Sequence, residues 1–161
     1  MIQSETLKNI QELKGARSMY PKHAEDFYGW AMASASLLRQ GKYQEVDMES
    51  VIEELEDMGI SNEHQLINRL SQLIFHLLKW ELQPDFRGRS WLGSINEQRY
   101  RLRRLLKKNP SLKPKIPEAL EDGFLESKPL IQKETPIDLK LLPSECPYTF
   151  EQLIDETFFP E

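Results

Sequence analysis

A cluster of carboxylates in the first half of the chain has the spacing closest to a metal-binding set. Its members are Glu53, Glu54, Glu56 and Asp57. On a helix, Glu53, Glu56 and Asp57 share one face, because residues three and four positions apart are neighbours there. Helical bundles present carboxylates to Mg²⁺ or Mn²⁺ in this way. The cluster therefore indicates one hypothesis, a divalent-metal-dependent hydrolase of nucleotides, with Mg²⁺ or Mn²⁺ as its cofactor.

A structural interpretation of the same carboxylates competes with the metal site. Helical nucleotide pyrophosphohydrolases carry an adjacent Glu pair and, on a second helix, a Glu and an Asp three positions apart. Here the next acidic residues, Glu63 and Glu81, lack that spacing. The cluster can instead lie opposite Arg89, Arg99 and Arg103 and form bidentate ion pairs with them. We prefer the ion pairs and keep metal ligation as the alternative.

The basic segment 99–108 offers a second kind of chemistry, the recognition of phosphate. Its candidate nucleic-acid ligands are Arg103, Arg104, Lys107 and Lys108. Trp91 or Tyr100 would serve as a platform on which a base stacks. The rest of the chain is acidic and the net charge is −5, so it would repel a phosphate backbone outside this segment. RNA binding through this segment is therefore a further alternative.

The single residues that could take part in catalysis lack the partners that catalysis requires. The pKa range of histidine would suit His76 as a general base. However, no nucleophile or second histidine lies at a spacing typical of a catalytic pair. A zinc site would need a third and a fourth ligand. Cys146 has no His or Lys beside it in sequence to activate a thiolate, so we expect a packed loop residue. We assign no catalytic residue and lean towards a protein that is not an enzyme.

Apolar residues recur at spacings of three and four, which is typical of amphipathic helices and not of strands. The clearest stripe contains Leu66, Leu70, Leu73, Ile74, Leu77 and Leu78. We predict an all-α, single-domain helical bundle of five to six helices, with a proline-rich C-terminal crossing and a short terminal helix. The main helices are expected near 24–40, 47–82, 91–108 and 115–133, and Thr149 with Gln152 forms the capping box that begins the last one.

Local signals predict how these helices begin and end. Asp47 and Ser90 are expected N-caps, and Gly41 is expected to stop the helix before it. We expect Gly59 to be a left-handed cap that divides 47–82 into two helices, with one continuous helix as the alternative. Pro129 is expected to kink or end its helix.

Length and composition favour one compact domain at residues 20–161, preceded by an N-terminal arm or short helix at residues 1–19. The one cysteine cannot form an intramolecular disulfide. No apolar run approaches the length of a membrane helix, and the N-terminal stretch lacks the apolar core of a secretory signal. We therefore expect a cytoplasmic protein without a membrane partner, and a homo-oligomer stays open.

Nine sequence blocks, taken in order, resemble a known family. They are Asp26-Phe27-Tyr28-x-Trp30, Leu37-Leu38-Arg39-Gln40-Gly41, Glu53-Glu54-Leu55-Glu56-Asp57-Met58-Gly59, His76-Leu77-Leu78-Lys79-Trp80, Gln83-Pro84, Arg89-Ser90-Trp91, Gln98-Arg99, Pro110-Ser111-Leu112 and Cys146-Pro147-Tyr148. Together they resemble the bacterial, largely cyanobacterial, family known as domain of unknown function twenty-nine, from about Tyr20 to Pro160. The resemblance implies an all-helical single domain and no established activity.

Our preferred hypothesis for function is a protein-interaction or regulatory module, either an adaptor or the antitoxin half of a two-protein system. An acidic block and a basic block that can pair with each other, without a complete set of catalytic residues, are typical of such a protein. The sequence does not identify the partner. We expect the binding surface near His76, Lys79, Trp80, Arg87, Arg89, Trp91, Gln98 and Arg99.

Overall fold

The computed structural model describes residues 19–161, and within them it contains five α-helices and no strand. The helices are α1 (Phe27–Arg39), α2 (Met48–Leu82), α3 (Arg89–Lys108), α4 (Ile116–Glu134) and α5 (Phe150–Ile154). Short 3₁₀ turns lie at Tyr43–Glu45, Pro84–Phe86, Pro110–Lys115 and Leu139–Leu141. The all-α class and the predicted helices are confirmed.

The chain divides into two compact units, Met1–Glu56 and Asp57–Glu161. The described part of the first unit contains α1 and the beginning of α2, and the second unit contains the rest of α2 with α3, α4 and α5. The predicted arm at residues 1–19 falls almost entirely outside the described residues, so the boundary after residue 19 stays a prediction. No helix in residues 19–161 is both long and apolar enough to cross a membrane.

The core of the second unit forms around the C-terminal half of α2. All six residues of the predicted stripe are buried there. Apolar side chains from the later helices complete the same cluster, namely Ile95, Leu102, Leu106, Ala119, Phe124, Ile131 and Leu153. Each fully buried Leu, Ile or Phe stabilises the fold by about 1.5–3 kcal/mol through the area that it removes from water. The α2 stripe is thus the surface on which α3, α4 and α5 pack.

In the first unit, α1 buries Trp30, Ser34 and Leu37. The Asp26 side chain caps this helix by accepting a hydrogen bond from the Gly29 backbone N–H at 2.9 Å. This bond satisfies one of the amide groups that a helix N-terminus leaves without a partner.

The prediction of a cap at Gly59 is wrong, because α2 runs without interruption from Met48 to Leu82. Within residues 19–161, Gly41 is the one glycine with a positive φ, at 71°. Gly41 follows the C-cap residue of α1, Gln40, as predicted. An interior glycine costs a helix only about 1 kcal/mol, and the flanking residues of α2 outweigh that cost.

Four other local predictions have mixed outcomes. The expected N-cap at Ser90 is wrong, because α3 begins two residues earlier, at Arg89, with Gly88 at the cap position. Pro129 lies inside α4 and does not end that helix. The Asp47 side chain does accept a hydrogen bond from the Ser50 backbone N–H, at 3.3 Å. The capping box at the start of α5 is also confirmed.

Candidate functional site

The acidic cluster lies on the solvent-facing side of α2. Glu53, Glu56 and Asp57 are exposed, and Glu54 is half-buried. A carboxylate oxygen of Glu54 lies 2.5 Å from Nε2 of His23. Within residues 19–161, no three His, Cys, Asp or Glu side chains are placed to hold a metal ion together. The geometry gives the metal-site hypothesis no support.

The predicted ion pairs between this cluster and Arg89, Arg99 and Arg103 are wrong, because none of them forms within residues 19–161. Arg103 on α3 pairs with Glu156. Arg99 binds backbone carbonyls near the C-terminal end of the sequence. Arg89 is exposed, and the described part of the chain shows no ion pair for it. Arg99 and Arg103 therefore hold the end of α5 and the segment that follows it.

Among residues 19–161, Arg99 is the largest side chain that is completely buried, with 0% of its surface exposed. Its Nε donates to the Leu153 carbonyl oxygen at 2.8 Å, and its two terminal nitrogens donate to the carbonyls of Glu156 at 3.4 Å and Phe158 at 2.6 Å. Its guanidinium also lies 5.1 Å from the centre of the Phe159 ring. The prediction that Arg99 belongs to a binding surface is therefore wrong.

A sequence signal for this burial was present but unused. Ile95, Arg99, Leu102 and Leu106 follow one another at spacings of four, three and four, and all four are buried. A cation in register with an apolar stripe needs acceptors inside the fold, because an unpaired buried charge is very costly. The acceptors come from carbonyls more than 50 residues later, which no local pattern indicates.

His76 is half-buried in the middle of the α2 core. Its Nδ1 is buried and has no hydrogen-bond partner within the described residues. Burial, reinforced by the nearby charge of Lys79, lowers the pKa of His76 from 6.5 to about 4, although Glu134 acts in the opposite direction. The ring is therefore uncharged at neutral pH. No nucleophile within the described residues is hydrogen-bonded to this ring.

The turn between α2 and α3 carries a group of aromatic and cationic side chains. We call it the aromatic corner and define it by Trp80, Phe86, Arg87, Arg89 and Trp91. Phe86, in the Pro84–Phe86 turn, is 70% exposed. Arg87 donates from Nε to the Trp80 carbonyl oxygen at 2.7 Å, and its guanidinium lies 5.3 Å from the centre of the Trp80 ring. A fixed cation thus covers one indole while Phe86 stays open to solvent.

Buried Lys79 and half-buried Phe159 support the aromatic corner. The Lys79 ammonium lies 4.7 Å from the centre of the Phe75 ring and 4.5 Å from that of Trp91. The Trp80 ring lies 5.0 Å from that of Phe159. Cation–π and tilted aromatic contacts of this kind hold the two indoles in place.

The predicted binding residues therefore fall into separate groups. Lys79 and the aromatic corner lie together. Gln98 lies further along α3, where its side-chain oxygen is 3.5 Å from Nη1 of Arg69. Sequence reasoning did not include Phe86 among the binding residues, although its position in the loop between two helix predictions was a usable signal.

The basic helix also lines an open cleft against α2, with a volume of about 410 Å³. We call it the Tyr100 cleft, after the tyrosine on its edge. Asn62 and Arg69 line it from α2, and Arg104 and Lys108 line it from α3. Three of the predicted nucleic-acid residues, Arg104, Lys107 and Lys108, have no ion pair or hydrogen bond within residues 19–161, whereas Arg103 is paired.

Cys146 is half-buried, and its Sγ lies 3.5 Å from the Tyr148 carbonyl oxygen. Burial raises the pKa of the thiol. A raised pKa disfavours the reactive thiolate. This environment supports the expected packed loop residue.

The model of one protein family matches residues 23–159, which is most of the chain. Its description is Domain of unknown function DUF29. The chain belongs to this family. The resemblance found in the nine sequence blocks is thereby confirmed. The curated proteins contain no match to this DUF29 chain, and the solved structures contain none either.

Proposed function

We propose that this chain is a protein-interaction module that binds an acidic, apolar segment of another protein through the aromatic corner. The observation that carries the proposal is the exposure of Phe86 between helices that hold the neighbouring indoles in place. Burying a large aromatic side chain against a partner is favourable, because it removes apolar surface from water. Aromatic residues and arginine also dominate the binding energy of protein interfaces.

The apolar surface extends on both sides of Phe86. Leu82, the last residue of α2, is exposed, and so is Leu92 in the first turn of α3. Three apolar side chains within eleven residues of chain supply the apolar centre that an interface requires, and the arginines supply a polar rim.

Charge defines the chemistry of the partner. Neither Arg87 nor Arg89 forms an ion pair in the described part of the chain, and the single acid of this turn is Asp85. Arg87 directs its Nε to a neutral carbonyl. The corner therefore keeps a net positive charge, and carboxylates on the partner would complement it.

The support beneath the corner favours binding because it reduces the entropy lost on association. The indole of Trp91 already lies against Lys79, and that of Trp80 lies between Arg87 and Phe159. Side chains that are fixed before binding lose less conformational freedom when the partner arrives. An adaptor or antitoxin-like role in the cytoplasm is the biological setting that we propose.

The test is affinity capture from a nuclease-treated lysate of the source organism, with three versions of the tagged chain. Phe86→Ala removes the exposed ring, and Leu141→Ala is the matched control because Leu141 is also 70% exposed. We expect the wild type and Leu141→Ala to retain a stoichiometric partner that Phe86→Ala loses. A fourth version, Arg89→Glu, reverses a charge of the corner and should also weaken capture.

The sequence of the captured protein tests the partner chemistry that we propose. A partner with an acidic apolar segment supports it. Circular dichroism of each variant must show the wild-type helical signal, so that loss of binding is not loss of folding. Equal capture by all three chains, or capture of a second copy of this chain alone, contradicts it.

A further inference from the structure

We propose that the Tyr100 cleft binds a nucleotide, either free or as part of a single strand, with its base on Tyr100 and its phosphate on Arg104 and Lys108. This site is separate from the aromatic corner and does not depend on the protein-interaction proposal. The sequence indicated phosphate binding along the whole basic segment, and the present proposal places it in one cleft. It also adds residues of α2, Asn62 and Arg69, which no sequence pattern indicated.

The charges that line the cleft leave an uncompensated positive region. Arg101 is neutralised by Glu97, with nitrogen to oxygen distances of 2.9 and 2.6 Å. The Arg69 guanidinium contacts a neutral amide at 3.5 Å. Arg104 and Lys108 have no partner within residues 19–161. Since the one carboxylate of the cleft is already paired, an anion is the ligand that these cations favour.

Tyr100 supplies the aromatic part of the site. Its ring is 58% exposed, and no other aromatic ring of the described chain packs on it. An exposed tyrosine beside cations is the arrangement on which nucleic-acid bases stack, and each such contact contributes about 1–3 kcal/mol. A simple phosphate would leave this ring unused, and for that reason we infer a nucleotide.

Two amides on the cleft wall are positioned to contact a base edge. Asn62 donates from Nδ2 to the Met58 carbonyl at 2.9 Å, and Asn109 donates from Nδ2 to the Leu105 carbonyl at 3.1 Å. Each side-chain oxygen is left as an acceptor, since each amide nitrogen is held by its own helix. Such acceptors can pair with the exocyclic amino group of a base.

The size and continuation of the cleft indicate how much ligand it holds. A volume of about 410 Å³ is within the range of roughly 300–1,000 Å³ typical of small-molecule sites. A second depression, lined by Tyr100, Arg103, Arg104 and Lys107, shares Tyr100 and Arg104 with the cleft. Because Arg104 lines both, one strand could place successive phosphates along α3.

The test uses two probes with the full chain, AMP by calorimetry and a fluorescent ten-nucleotide adenine strand by anisotropy at several salt concentrations. We expect Tyr100→Ala and Arg104→Ala each to weaken binding by about tenfold, with Arg104→Ala also reducing the salt slope by about one. Tyr100→Phe should bind within about twofold of the wild type, because it keeps the ring that stacks. The matched control is Lys113→Ala, an exposed lysine outside the cleft.

Each result either supports or contradicts the proposal. Binding of AMP assigns a free nucleotide, and binding of the strand alone assigns a single-stranded nucleic acid. Absence of binding with both probes at low salt overturns the proposal. It is also overturned if Lys113→Ala loses as much affinity as Arg104→Ala, or if poly-glutamate binds as tightly as the strand, because either result means attraction by charge alone.

Discussion

Gly123 on α4 lies directly over Leu70 on α2. A Cβ atom added at position 123 would come within 2.9 Å of the Leu70 Cβ and 3.1 Å of the Ser71 backbone nitrogen. Real Cβ atoms do not approach backbone and a rigid neighbour this closely, so the two helices would have to separate. We predict that Gly123→Ala lowers the free energy of unfolding by about 1–3 kcal/mol, measured by urea denaturation.

The matched control for this substitution is Gly93→Ala. Gly93 also lies inside a helix, but a Cβ there meets nothing within 4 Å. An exposed helical glycine replaced by alanine should raise the free energy of unfolding by about 0.5–1 kcal/mol. Equal effects at both positions would show that α4 does not pack this closely on α2.

Gly59 gives a test of whether α2 is continuous. In an uninterrupted helix, Gly59→Ala should raise the free energy of unfolding by about 0.5–1 kcal/mol, because alanine has the higher helix propensity and its Cβ meets nothing within 4 Å. At a left-handed cap, the same substitution would destabilise the fold. The matched case is Gly41→Ala, where φ is 71° and stability should fall.

Replacing Arg99 should be far more harmful than replacing an exposed arginine on the same helix. Arg99→Lys keeps the charge but loses the planar fork that reaches three carbonyls. We expect a loss of about 3 kcal/mol in the free energy of unfolding, since acceptors are left unpaired inside the fold. Arg101→Lys, with only an exposed partner on its own helix, should change stability by less than about 0.5 kcal/mol.

The pH dependence of stability should contain a contribution from His76. The pKa of His76 is about 4 in the folded chain and 6.5 in the unfolded chain. Between pH 4 and pH 6.5 the unfolded chain therefore binds more protons than the folded chain. The contribution of the neutral His76 ring to the free energy of unfolding is therefore fully present above pH 6.5, and it is lost as the pH falls towards 4. The loss should reach about 2–3 kcal/mol.

The substitution His76→Gln isolates this contribution, because glutamine does not titrate. We expect the variant to lose less stability than the wild type between pH 7 and pH 4, as measured by denaturation at each pH. His64→Gln is the control, since His64 is exposed on the same helix. Parallel pH profiles for the wild type and His76→Gln would contradict the burial of the neutral ring.

Divalent metal should leave the melting temperature unchanged. A ligand that binds only the folded state raises that temperature, and no three acidic, His or Cys side chains in residues 19–161 gather around a common point. Scanning calorimetry with Mg²⁺, Mn²⁺ or EDTA measures this directly. A metal-dependent rise that Glu53→Gln and Glu56→Gln abolish would restore the hydrolase hypothesis.

The apolar periodicity predicted the helices well because it reports a local property, the face that each helix turns towards a core. Periodicity alone would overestimate burial at the start of α2, where Ile52 and Leu55 keep the same period but are exposed. Periodicity states which residues share a face, but not whether another element covers that face. The same limit explains the error at Gly59, where flanking helix outweighs a local stop signal.

The candidate site was harder to predict because its geometry depends on residues far apart in sequence. Lys79 and Trp91 were both selected, yet only the fold shows that the ammonium lies against the indole. Phe86 was overlooked because a loop phenylalanine has no periodic neighbours that reveal its exposure. Arg99 was assigned to the surface on its charge, and its acceptors are backbone atoms that carry no sequence signature.

The bonds of Arg99 also bear on the order in which the chain can fold during synthesis. Arg99 leaves the ribosome long before Leu153 and Phe158, its acceptors. Until those residues emerge, burying the guanidinium would leave a charge unpaired in an apolar core. The second unit therefore cannot complete its core as it emerges, and the nascent chain keeps apolar surface exposed for chaperones or for aggregation until about residue 158 is available.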